Sequence, residues 1–411
     1  MNIWLIQTGE PLPTEHGARK MRTAMLADRL IQRGHSVVWW SSAFDHLKKK
    51  WLVEKDAELP PSGNMKIMLL RGTGYKKNVS ITRVIDHRIV ARRFKSAIKD
   101  MPLPDAIVAS LPPHDLAYEA VKFARQKNIP VIVDIRDPWP DIFLDVLPRR
   151  LKAPAKVLLF RDFSMLKTAL KHASSIVAVT NTFLDWGLAH AERAKKPRDR
   201  TFYLGYTRDA GKACANRAIN GLKKNAKKFF TISFIGTFAH YHNPSILLEC
   251  AGSFLKEDPD IRFVIAGDGE ETGEIKKKTK DLTNVILPGW LDKAAIDELL
   301  EISDVGVCPS GREASLFPNK AFLYLSAGLP VISAFSGELK DLLEHRKAGH
   351  YYKPGDVDGL RECIKRLHDD HTLYKKTSQN AMSLFNELFD AEKIYREYAE
   401  FIEGICDKTI Q

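Results

Sequence analysis

The sequence predicts an α/β protein of two doubly wound domains in tandem, each a parallel sheet covered by helices. Three observations carry this. Short Val- and Ile-rich runs alternate with longer amphipathic segments from the N-terminus to about residue 180, the pattern of buried parallel strands joined by crossover helices. A polar, lysine-rich segment from Asp209 to Lys228 interrupts the alternation. The alternation then restarts at Phe229, and a chain of 411 residues suits two domains of roughly 200 each.

In order, NIWLIQ is the first strand, followed by a loop and the helix ARKMRTAMLADRLIQRG. HSVVWWSS, DAIVAS, IPVIVDI and SSIVAVT continue the sheet, with helices expected over 114–127 and 156–172. In the second half FFTISFIG, IRFVIAG, NVILPGW, DVGVCPS and LPVIS are strands. Helices are expected from Pro244 to Lys256, over 270–280 and 293–302, and at LFPNKAFLYLS. Ile394, Tyr398, Phe401, Ile402 and Ile405 recur at helical spacing and predict a closing helix. The expected domains are therefore 1–208 and 229–389, with 209–228 as linker and 390–411 packing back on the first.

The longest apolar runs are strand length, short of the roughly 18 to 20 residues that span a bilayer, so no transmembrane helix is expected. The N-terminus lacks a basic region and a small-residue cleavage site, and the chain is expected to stay in the cytoplasm. Five cysteines form no CxxC pair, which argues against a disulfide framework and a zinc site. The net charge of +12 is uneven: residues 1–210 hold 36 Lys+Arg against 21 Asp+Glu, and the rest 27 against 30. No nucleic-acid reading module accompanies the basic half. Segments such as HRIVARRFKSAIK and PRRLKAPAKVLLF instead mix cations with apolar residues, as suits an anionic inner-membrane surface or a solvated basic helix.

Open α/β sheets bind ligands beyond the carboxyl ends of their strands, so the loops there and the cleft between the domains are where function is expected. TGEPLPTEHGARKMR offers Gly17 for close backbone approach, without a GxGxxG fingerprint. DIRDPWPD puts Asp134, Arg136 and Asp137 at a strand end, where they either pair with one another or face a cleft; the cleft is favoured. SLPPHD makes His114 a candidate acid or base, against a capping role. FIGTFAHYHN gives Gly236 and Thr237 for a phosphate, and His240 and His242 lack a third ligand for a metal. In CPSGREASLFPNKAFLYLSAGLPVI, Pro318 and Asn319 start a helix whose Lys320, Ala321 and Phe322 amides are expected to be free. With the Lys320 charge, that helix start fits a diphosphate; the structural alternative is an ordinary capped core helix.

RDxWP in the first half, then a GDG turn, NVxxxG, DVGVCPS and FPNKAFLYLSAGLPVI in the second, resemble retaining glycosyltransferases of family 4. These have the two-domain, Rossmann-like GT-B fold, and the likeness is nearest the bacterial surface-polysaccharide branch with the L-fucosaminyl transferases. The resemblance implies a nucleotide-sugar donor as substrate, UDP-linked, and no metal. It puts the base near Gly289 and Trp290, the diphosphate at Gly236, Thr237 and Pro318 to Lys320, and Gly17 near the donor phosphates. Arg136 and Asp137 fall where relatives place a His-Asp pair facing the donor sugar. The acceptor, a saccharide or polyprenyl-diphosphate-linked saccharide, would meet the basic first domain.

Relatives carry two glutamates eight positions apart, the second holding ribose hydroxyls; here those positions are Ser315 and Leu323. Three readings follow: Tyr324 or Glu313 substitutes, the donor lacks a 2′-hydroxyl as a dTDP-sugar does, or the chain is a weakened homologue. A sugar-nucleotide epimerase and a non-catalytic partner subunit are the competing functions on this fold.

Overall fold

The computed structural model describes residues 1–411 apart from 15–19, 79, 146, 208–216, 224, 240–241 and 408–411. Gly17, His240 and residues 209–216 and 224 of the expected linker lie outside the described residues. The chain divides into two units, Met1–Tyr203 with Glu392–Gln411, and Leu204–Ala391.

The first unit is built on an eight-stranded sheet. In chain order its strands are β1 (Asn2–Ile6), β2 (Ser36–Ser42), β3 (Ala57–Ser62), β4 (Met65–Leu70), β5 (Ala106–Leu111), β6 (Val131–Ile135), β7 (Ser175–Ala178) and β8 (Arg200–Thr201). Across the sheet they run β8-β7-β6-β5-β1-β2-β4-β3. All pairs are parallel except the edge pair β3 and β4. β1 is central, with Ile3 opposite both Val37 and Ala106, which is why NIWLI carries no polar face. Below it Trp4 meets Trp40 edge-on at 5.4 Å, and Phe94 closes on Trp40 at 5.1 Å.

The helix expected over 114–127 spans His114–Lys127 and stops where Asn128 turns left-handed at φ 53°. The helix expected over 156–172 is instead two, Arg149–Leu158 and Phe160–His172, separated at Leu159. The second buries Met165, Leu166, Ala169 and Leu170, while the first buries nothing. The closing helix, Ala391–Cys406, packs on the first unit, where Tyr398 stacks on Phe202 at 4.5 Å and Glu403 meets Arg33.

The second unit has six parallel strands: β9 (Phe230–Ile235), β10 (Ile261–Ala266), β11 (Val285–Gly289), β12 (Val305–Cys308), β13 (Val331–Ser333) and β14 (Gly349–Tyr351). Their order is β11-β10-β9-β12-β13-β14, so the winding reverses between β9 and β12, and the crevice outside their carboxyl ends is the natural ligand position of such a sheet. The expected linker is corrected here. Residues 217–223 form a helix whose Ile219 and Leu222 pack with Val264, Leu291 and Leu299. An apolar pair three apart is one helical face, and it makes this stretch part of the second unit's core.

Candidate functional site

At the reversal between β9 and β12, the loops after β9 and β10 are held unusually close. The Gly236 amide donates to the Ala266 carbonyl and the Phe238 amide to that of Asp268. A Cβ on Gly267 would lie 1.8 Å from the Gly236 oxygen, and one on Gly269 would lie 2.4 Å from that of Phe238. The G-D-G turn therefore serves loop packing, and no nucleotide fingerprint is needed to explain it. The Gly267 amide in turn donates to the Gly289 carbonyl, which carries the row of loops to Gly289 and to Trp290, 72% exposed. Thr237 is exposed beside Gly236.

Lys320 enters this crevice from the helix Asn319–Ser326. Phe317 and Phe322 stack at 4.7 Å, and Phe389 meets Phe322 edge-on at 5.0 Å, fixing the helix start. The Lys320 stem is half-buried, but its Nζ is sealed from solvent and makes no hydrogen bond among the described residues. It lies 4.0 Å from the Phe234 ring centroid and 2.8 Å from where a Cβ on Gly236 would be. Burial pushes its pKa down to about 8, with only the Cys308 thiol acting the other way. A buried ammonium without an acceptor is costly, and an anion laid against Gly236 would relieve the cost. His242 belongs to the same corner, its pKa pushed down to about 4 by burial and the Lys320 charge. Its place beside Lys320 was not legible, because only the fold brings residues 242 and 320 together.

Asn319 is exposed at the first helical position, so the helix starts where expected, and Pro318 is the cap residue, with no side-chain cap. The Ala321 amide, expected to be free, donates to the Pro318 carbonyl at 3.0 Å. Ser315 is exposed and lies against Gly337, where a Cβ would approach its Oγ to 2.0 Å.

In the first unit the reading of DIRDPWPD divides. Asp134 is fully buried and held bidentately by Arg22, with both contacts at 2.9 Å. Arg22 also donates to the Phe202 carbonyl at 2.8 Å and lies 5.1 Å from the Tyr398 ring centroid. Arg136 reaches Asp134 and Thr23 Oγ1, at 3.2 and 3.0 Å, and Glu10. Arg136 is thus corrected from a catalytic candidate to a member of a satisfied ion network. Asp137 is different: it is solvent-exposed although closely flanked by protein, and that crowding raises its pKa against the pull of Arg83 and Arg136. His114 is also corrected. It is 3% exposed, with Nε2 at 2.9 Å from Asp162 and 3.4 Å from Asp115. Arg88 already supplies a cation to that cluster at 3.3 Å from Asp162, so His114 serves a buried charge group.

Residues 230–370 match the model of the family described as Glycosyl transferases group 1. The Anabaena Alr3699/HepE structure in complex with UDP is 15% identical, covers 98% of this chain and 99% of that one, and superposes with a TM-score of 0.65. The fold is GT-B. Among curated proteins, the UDP-Gal:alpha-D-GlcNAc-diphosphoundecaprenol alpha-1,3-galactosyltransferase of Escherichia coli is 28% identical over 193 residues, 45% of this chain and 48% of that protein. The N-acetyl-alpha-D-glucosaminyl L-malate synthase of Bacillus anthracis is 28% identical over 142 residues, 34% and 36% of the two chains. The chain spans about half the length or less of these two relatives. Relatives named as glycosyltransferases include this galactosyltransferase and a 2-deoxystreptamine N-acetyl-D-glucosaminyltransferase.

Within the second unit, Tyr324 is corrected as a ligand contact. It is wholly buried, its hydroxyl accepts the Ile235 amide at 2.8 Å, and its ring leaves room only for glycine at 306, where a Cβ would lie 2.1 Å away. Tyr324 therefore cannot replace the missing carboxylate, whereas Glu313 is exposed on the loop after β12. Leu323 is 9% exposed. Tyr324→Phe leaves a buried amide without an acceptor and should cost about 1 to 3 kcal/mol of stability. Urea titration should show that loss while nucleotide affinity stays at the wild-type value; a matching loss of affinity would return Tyr324 to the ligand site.

Proposed function

We propose that this chain is a retaining glycosyltransferase of family 4 that moves a sugar from a nucleotide-sugar, UDP-linked, to a saccharide or lipid-linked saccharide in bacterial surface-polysaccharide synthesis. The observation that carries the reading is Lys320: a buried, unpartnered ammonium against Gly236, at the strand reversal where this kind of sheet takes its ligand. The diphosphate would lie along Gly236 and Thr237 with Lys320 beneath it, and the base would lie toward Gly289 and exposed Trp290. UDP in the HepE complex and the diphosphoundecaprenol acceptor named for the E. coli relative support the donor and the acceptor class.

In this reading the donor's diphosphate departs on the face from which the acceptor arrives and takes the acceptor's proton. Lys320 stabilises the departing charge, which is the largest contribution available to a group-transfer site without a protein nucleophile. An acceptor anchored in lipid would place the enzyme peripherally on the inner membrane face.

Leu323 favours a donor that asks little of the ribose 2′-hydroxyl. A thermal-shift series with UDP, dTDP, GDP and CMP tests both points. Stabilisation by UDP or dTDP above the other two is expected, and dTDP above UDP would assign the leucine to a deoxyribose donor. No shift with any of the four would sink the donor site.

A further inference from the structure

The helix Arg149–Leu158 is the anomaly of the first unit. None of its residues is buried. Leu151, Val157 and Leu158 are 51%, 75% and 84% exposed, and Phe160, just after it, is 74% exposed. A helix in water normally survives by burying one face, and this one also carries Pro154 inside it, which removes a backbone hydrogen bond. The thirteen residues from Arg149 to Arg161 hold five cations and no acid. Arg149, Arg150, Lys156 and Arg161 are exposed alongside the apolar side chains. The helix's visible links to its own unit are few: Lys152 lies 3.6 Å from Asp145, and Lys156 lies over the Phe163 ring at 5.7 Å.

We infer that residues 149–161 are a membrane-docking element that inserts Leu151, Val157, Leu158 and Phe160 into the headgroup boundary of an anionic bilayer. Charge complementarity selects that partner. A second protein face would have to match four large apolar side chains and five cations within thirteen residues, whereas a bilayer with acidic headgroups offers an apolar layer and a negative surface a few ångströms apart. The unpaired helix then has the apolar phase it lacks in water, and the cations remain at headgroup level. This deepens the membrane part of the proposed function and stands apart from the sugar-transfer part.

The test is sedimentation of the full chain with vesicles of equal parts phosphatidylglycerol and phosphatidylcholine, and with vesicles of phosphatidylcholine alone. The protein should pellet with the first and remain in solution with the second, and high salt should release it. The triple variant Leu151→Ser, Val157→Ser, Leu158→Ser should lose about tenfold or more of its partitioning. Its melting temperature should be unchanged, because the three side chains touch no core. Equal pelleting by the variant, or none by the wild type, overturns the proposal. So does a wild-type dimer in sedimentation equilibrium that the triple variant dissociates, since a second copy would then cover the helix. UDP binding measured without vesicles reports on the donor site separately, so either reading can fail alone.

Discussion

Lys320→Met should weaken nucleotide binding about ten- to a hundredfold while making the unliganded protein more stable. The two effects have one cause. In the free protein the ammonium is sealed among Phe234, Cys308 and Gly236 with no acceptor. A lysine lowered from 10.5 to about 8 reports a folded state that disfavours the charge by on the order of 3 kcal/mol. Methionine has nearly the same length and no charge, so that penalty disappears. When a diphosphate is bound, the same ammonium gains a charged hydrogen bond worth about 1.5 to 3 kcal/mol, and the variant forfeits it.

The pH dependence follows with a fixed sign. Because the folded pKa lies below the unfolded one, the wild type carries the full penalty below pH 8 and sheds it as pH rises from 8 toward 10.5. Its stability should therefore gain on that of Lys320→Met across this window. Bound phosphate raises the lysine pKa, so binding above pH 8 must take up a proton, and affinity should fall by up to tenfold per pH unit. Calorimetry at pH 7 and pH 9 checks this, with His242 neutral throughout at a pKa of about 4. Wild-type affinity in Lys320→Met, or equal affinity at the two pH values, would remove Lys320 from the site.

What could be read from sequence divides along physical lines. Buried parallel strands are continuous apolar runs, and a helix that covers them keeps its period, so NIWLI and the helix His114–Lys127 were visible from residue types alone. Lys320 was visible because a Pro-Asn-Lys start leaves the charge at a helix end beside a strand terminus. The helix 217–223 was hidden: only Ile219 and Leu222 mark its face among lysines and asparagines, too few for a period to emerge. Tyr324 in place of the missing carboxylate, one of three readings left open, could be set aside only by the fold, because a sequence says nothing of whether a hydroxyl is already taken by a backbone amide, here that of Ile235. The catalytic reading of Arg136 failed for a related reason. Its partners Glu10 and Thr23 are more than a hundred residues away, and polar residues at a strand end look the same whether they await a ligand or one another.

The largest stability effect should come from that network: Arg22→Met should cost about 3 to 5 kcal/mol, the range for removing one partner of a buried ion pair. Burial opposes the charges on both Arg22 and Asp134, yet each is held ionised by the other, with Arg136 adding to the hold on Asp134. Removing Arg22 leaves Asp134, with no exposed surface, facing only Arg136 among the described residues, and it also takes a donor from the Phe202 carbonyl. The double variant Arg22→Met, Asp134→Leu removes both charges and should recover much of the loss, because the desolvation of each ion is then no longer carried. The sign with pH is that of a depressed carboxylate: the pair's contribution is present above the unfolded value of 3.8 and drains away as pH falls below it. Urea titrations at pH 7 and pH 3 should therefore converge for wild type and Arg22→Met at the lower pH. If Arg22→Met unfolds at the wild-type midpoint at pH 7, the network does not hold strand β6 to the first helix and the closing helix, and Arg136 would regain its claim on the chemistry.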